Sequence, residues 1–191
     1  MDLVLRSVSI IAQNEYVDDL GAFEILVEWI GSQVLSDETL HTRFLKKETH
    51  LYLISCDFSC LTEIKENILA HVYYLINPQA KLSYHYSEEQ LNEKIFSLKA
   101  KSDSAFPSVI FVPDSGTGEL IIEASKHLSN SCVFFSNEKD TIAYHIQLIY
   151  YNIHRIQVFL IHKELHNRVD IDSLVWENAN RWVPAKILAK L

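Results

Sequence analysis

Asp114, Ser115, Gly116, Thr117 and Gly118 are the residues of this chain whose types and order come nearest to a working site. They follow the apolar run 109–112 and precede an apolar-periodic segment. A strand that ends in a glycine turn and opens into a helix presents backbone N–H groups and the positive end of a helix dipole, which attract anions. Open α/β sheets also bind ligands at the carboxyl ends of their strands. A phosphate loop would carry a third glycine where Ile121 stands, or a Gly-Lys-Ser/Thr sequence, and neither occurs. The plainer reading is a βα turn, with the glycines supplying positive φ and Ser115 or Thr117 capping the helix.

The same residues admit a second chemistry. Asp114-Ser115-Gly116-Thr117 resembles the triplet of aspartic proteases. That reaction needs two carboxylates sharing a proton, hence two copies or a symmetric dimer. One copy is present, and no glycine follows position 118, although that fold is rich in β-turns. Cys56 and Cys60 have a spacing that zinc tolerates, but Cys132 stands alone and no second ligand pair exists. His162 and His166 are four apart in "HKELH", which is not His-Glu-x-x-His. Neither pair completes a metal site, so no metal, cofactor or catalytic residue is assigned and the chain leans away from being an enzyme.

Charge supplies a different kind of candidate. The net charge is −8, and between Arg6 and Arg43 there is no lysine or arginine. Glu15, Asp18, Asp19, Glu24, Glu28, Asp37 and Glu38 fall in that gap and account for nearly all of the net charge. Duplex nucleic acid requires a basic patch and is excluded as a partner. An acidic face instead suits a basic protein, through steering and complementarity. Asp18, Asp19, Glu24 and Glu28 are its expected centre, with no basic neighbour in sequence and a solvated helix face as the plainer reading. Trp176, Arg181 and Trp182, in a tail with few other anchors, are residue types that dominate interface hot spots.

Elements must position these residues. The β-branched, partly alternating segment 3–12 reads as a strand, as do 50–56, 81–86, 108–112 and 131–135. Helices are expected at 16–35, at 59–76 with Ser59 as cap and Asn77-Pro78 as stop, and at 87–100, where Ser87 and Gln90 form a capping box. A further helix is expected at 117–128, and a long one from 138 carries apolar residues at 142, 146, 149, 153, 156 and 160. A short terminal helix would begin near Pro184. The alternation predicts an α/β fold: one domain over 1–191, with a mostly parallel or mixed sheet flanked by helices and a long C-terminal helix. A sub-domain break is expected, if anywhere, at 101–107.

The composition, 48% hydrophobic with four glycines and four prolines, supports a packed core of long regular elements. No apolar run reaches a membrane span, the N-terminus lacks a basic signal-like region, and three cysteines form no framework. A cytoplasmic protein is therefore expected. The leading functional expectation is a non-catalytic binding protein, an acidic adaptor, inhibitor or immunity-type protein, docking a basic partner. The alternatives are a small-molecule or nucleotide-binding α/β domain using the 113–118 turn, and a structural subunit of a larger assembly or homo-oligomer, joined through the C-terminal helix or tail.

Overall fold

A computed structural model describes residues 1–35, 43–59, 61, 66–102, 109–128, 133–156 and 158–162. Its residues divide into two compact units, 1–83 and 84–191.

The first unit is helical. It contains α1 (Asp2–Glu15), α2 (Asp19–Leu35), α3 (Lys47–Ser55), α4 (Ile68–Ile76) and α5 (Pro78–Tyr84), the last residue of α5 crossing the boundary. Three segments expected as strands are helices here. Residues 3–12 lie in α1, residues 50–55 end α3, and residues 81–84 end α5. In α1 the buried residues are Val4, Ser7, Val8 and Ile11, a spacing of three and four that places them on one helical face. That face packs on α2, α3 and α4, and its burial outweighs the β-preference of valine and isoleucine, which is only about 1 kcal/mol wide. In α3 the buried pair is Thr49 and Leu53, again one turn apart. Tyr52 of α3 meets Ser7 of α1, hydroxyl to hydroxyl, at 3.1 Å.

The expected helix at 16–35 is α2, buried almost all round, with Phe23 stacked on Tyr73 of α4 at 6.0 Å. Asp18 caps it by accepting from the Gly21 N–H at 2.8 Å. The described part of the helix expected from Ser59 is α4, and its cap is Asn67, which accepts from the Ala70 N–H at 2.9 Å. Ser59 instead donates its N–H to Asp57. Asn77 ends α4, as expected, and its side chain accepts from Ala80 at the start of α5.

The second unit holds α6 (Glu88–Ser102), β1 (Val109–Val112), α7 (Glu119–His127), β2 (Val133–Asn137), α8 (Thr141–Ile153) and β3 (Val158–Ile161). The Ser87–Gln90 capping box forms, each residue donating its N–H to the other's side chain, at 3.0 and 3.2 Å. The strands form a parallel three-stranded sheet in the order β1-β2-β3. Phe135 and Phe159 stack at 4.6 Å, with Phe111 and Val133 against them. The α/β expectation holds in this unit, alongside a helical unit that it did not foresee.

The long helix expected from 138 is corrected. It ends at Ile153, Arg155 adopts φ 56°, and residues 158–161 form β3. Its apolar pattern ran on because a fully buried strand is apolar at consecutive positions, and "VFLI" continues a helical stripe by coincidence. Residues 103–107 of the expected linker lie outside the described residues, as does the tail with Pro184. Among the described residues no helix is long and apolar enough to cross a membrane.

Candidate functional site

The carboxyl ends of all three strands meet at one edge of the sheet, and the glycine turn is built into it. Val112 ends β1, Pro113 and Asp114 are exposed, and Ser115 to Gly118 are buried. Asp114, Gly116 and Gly118 adopt φ of 47°, 59° and 85°. The glycines thus supply the positive φ that the turn demands, as expected. The helix cap is different from the one expected: Gly118 itself caps α7, with no side-chain cap.

Ser115 and Thr117 are turned into the protein instead. The N–H and Oγ of Ser115 both donate to the Asn137 carbonyl at 3.0 Å, which ties the turn to the end of β2. Ser136 Oγ lies 2.7 Å from Ser115 Oγ and 2.5 Å from Gln147 Oε1. Tyr151 donates its hydroxyl to Gln147 Oε1 at 2.9 Å. A Cβ on Gly118 would sit 2.7 Å from the Tyr151 hydroxyl, so only glycine allows this approach.

Glu138 is the charged member of the cluster. It follows β2 directly and is fully buried. Its Oε2 accepts from the Gly116 N–H at 2.6 Å, and its Oε1 from the N–H groups of Lys139 and Asp140 at 2.9 and 2.8 Å. Its own N–H donates to the Ile161 carbonyl of β3. Burial pushes this carboxyl above its ordinary value, against the pull of the three amide donors, and the nearby Asp140 charge adds to the push. The amide that an anionic ligand would seek is thereby occupied by the protein's own anion.

Around this buried centre stand Asp114, Lys139 and His162, all exposed. His162 leaves β3 rather than a helix, stacks on Tyr144 at 4.5 Å, and sets its Nε2 3.2 Å from the Lys139 carbonyl. Burial pushes the Tyr144 phenol up to about 12. Asp140 caps α8 by accepting from the Ala143 N–H at 2.8 Å.

Of the residues singled out in the sequence, Asp114 to Gly118 and His162 come together here. Ser136, Glu138, Gln147 and Tyr151 were not foreseen. Glu138 had a readable signal: an acid 22 residues beyond Gly116, just after the next strand. Gln147 and Tyr151 had none, being two polar-tipped residues in an apolar helix.

Several carboxylates of the acidic stretch have partners within the protein. Arg43 reaches back to Glu24 at 2.8 Å and Glu28 at 3.0 Å. Glu28 is buried, and desolvation holds its carboxyl above the ordinary value despite Arg43. Glu15 accepts from the Lys46 N–H, and Asp18 serves as a cap. Asp18 and Asp19 are exposed, while residues 37 and 38 lie outside the described residues. So do Cys60, Cys132, His166, Trp176, Arg181 and Trp182. Cys56 is a free, half-buried thiol after α3. A cavity of about 500 Å³ in the first unit is lined by Trp29, Ile30, Leu53, Ile54, Cys56 and Phe58, and its described lining carries no charged side chain.

Compared with protein-family models, curated proteins and solved structures, the chain matches none.

Proposed function

We propose that the second unit binds a small ligand of nucleoside type at the carboxyl edge of its sheet, across the turn 113–118. The observation that carries this reading is the place of Glu138. Three parallel strands in contiguous order with two helical crossovers are the topology of one mononucleotide-binding half of a doubly wound fold. In that arrangement a glycine turn follows the first strand, and an acid about 20 residues on takes the ribose hydroxyls. Gly116, Gly118 and Glu138 occupy those places.

The buried carboxylate also bears on what is bound. A phosphate brought to the Gly116 amide would meet Glu138, at a cost of about 4 kcal/mol for like charges 4 Å apart at an effective dielectric of about 20. Hydroxyl donors pay no such cost, and a small opening of the turn over the fully buried Glu138 would let them share its oxygens. The reading therefore favours a sugar diol at the turn over a phosphate. A docking role for the acidic stretch has less support, because Glu24 and Glu28 are committed to Arg43 and Glu15 to Lys46.

Amide-resolved NMR titration with adenosine, ATP and inorganic phosphate tests this. Adenosine is expected to shift the Gly116, Gly118 and Lys139 amides, and phosphate alone to leave them unmoved. Glu138→Gln should weaken adenosine binding at least tenfold. Shifts with phosphate as large as those with adenosine, or none with any nucleoside, would overturn the reading.

A further inference from the structure

We propose that Gln147, locked by Tyr151, is the positioning residue of the turn: from α8 it grips Gly116 and so sets the amide that faces Glu138. The inference rests on the reading that this turn faces a ligand.

Gly116 is held from both sides. Its N–H donates to Glu138 and its carbonyl accepts from Gln147 Nε2. A carbonyl only accepts, so the amide of Gln147 must point its nitrogen there. Its second N–H donates to Ser115 Oγ at 2.9 Å. The amide oxygen then faces three hydroxyls, Tyr151 at 2.9 Å, Ser136 at 2.5 Å and Ser115 at 3.2 Å, and its two lone pairs take the protons of the first two. Ser115 passes its own proton to the Asn137 carbonyl. Every donor and acceptor of Gln147 is spent, and all of these side chains are buried. A satisfied buried network has one low-energy arrangement, because any rotation strands a polar group away from water. Gln147 and Tyr151 are one helical turn apart, so α8 carries both as a rigid pair.

This is more bonding than a turn needs to fold. The glycines already supply the φ angles, and the pairing of β1 with β2 already brings the turn beside Glu138. What Gln147 adds is a hold on the Gly116–Thr117 peptide through its carbonyl and on Ser115 through its Oγ, which brackets the Ser115–Gly116 peptide whose N–H meets the carboxylate.

The test uses the full chain and adenosine as probe. Gln147→Glu keeps the shape and removes both donors. Compared with wild type, its Gly116 amide is expected to exchange at least tenfold faster and to lose the downfield shift of a carboxylate-bonded proton. Adenosine affinity should fall at least fivefold. Ile149→Val, a buried change on the same helix that touches none of these polar groups, controls for a general loosening of the packing and should leave Gly116 unmoved. Tyr151→Phe, which removes one donor, should give a smaller shift in the same direction, and carries the test if Gln147→Glu does not fold. Unchanged Gly116 exchange and shift in these variants, or an equal effect from Ile149→Val, would overturn the positioning role. If wild type does not bind adenosine yet Gly116 is released in Gln147→Glu, the nucleoside reading fails and the positioning role stands.

Discussion

Glu28 in α2 and Glu138 after β2 are both buried, and burial raises both carboxyls, yet their surroundings differ. Glu28 is met by a charge, the Arg43 guanidinium, which Glu24 shares. Glu138 is met by three backbone N–H groups. A cation neutralises an acid and leaves it little to offer a ligand. Backbone dipoles stabilise the charge without cancelling it, so a carboxylate held this way keeps its field. One glutamate is a tie within a helical unit. The other is an acid held by backbone amides at a sheet edge.

The largest effect should come from the packing behind Glu138. Gly118→Val places a branched side chain at φ 85° against the Tyr151 hydroxyl. Strain and overpacking together should cost about 4 kcal/mol, read as a lower urea midpoint for the second unit. A loss under 1 kcal/mol would mean that the turn yields, and with it the idea of a rigid cradle.

Arg43→Met should come next. It strands Glu28, and because Arg43 is partly exposed the cost is discounted to about 2 kcal/mol. Arg43 pulls the Glu28 carboxyl down, so without it that carboxyl rises further. A raised folded value favours folding below the unfolded value and loses that benefit as pH rises through the folded one. The Arg43→Met deficit should therefore be large at pH 7 and shrink as pH falls toward 4.5, the ordinary glutamate value. Denaturant melts across that range decide it, and a deficit independent of pH would separate Glu28 from Arg43.

Glu138 titrates by the same sign rule. Its raised carboxyl contributes stability that is present below 4.5 and is lost as pH climbs through the higher folded value. Glu138→Gln should remove this slope from the second unit's melts while leaving the first unit's intact. A wild-type slope that survives the substitution would assign it elsewhere.

The smallest effect should be Glu24→Gln. It loses a surface pair with Arg43 but relieves the like charge that pushes Glu28 up. The two nearly cancel, leaving a change within about 0.5 kcal/mol. A larger loss would show that Glu24, rather than Glu28, anchors Arg43.

The misread segments share one cause. Residues 3–12 and 50–56 are rich in valine, isoleucine and leucine, and local preference pointed to strands. Val4, Ser7, Val8 and Ile11 are three and four apart, which is the spacing that burial against α2 selects. The third strand was hidden the other way, its apolar run prolonging the stripe of α8 until Arg155 breaks it at positive φ.

What the sequence determined by itself was closed within a few residues. Ser87 with Gln90 and Asn77 at a helix end need partners no more than four positions away, and the two glycines between strand and helix need only their own positive φ to make the turn. Such contacts form from backbone geometry that neighbouring residues already fix. The grip of Arg43 on Glu28, of Glu138 on Gly116 and of Gln147 on the same residue spans 15, 22 and 31 positions. Those bonds exist only after helix packing and strand pairing have brought distant segments together, because the energy that places them is the burial of α1, α2, α8 and the sheet rather than any preference of the residues that touch.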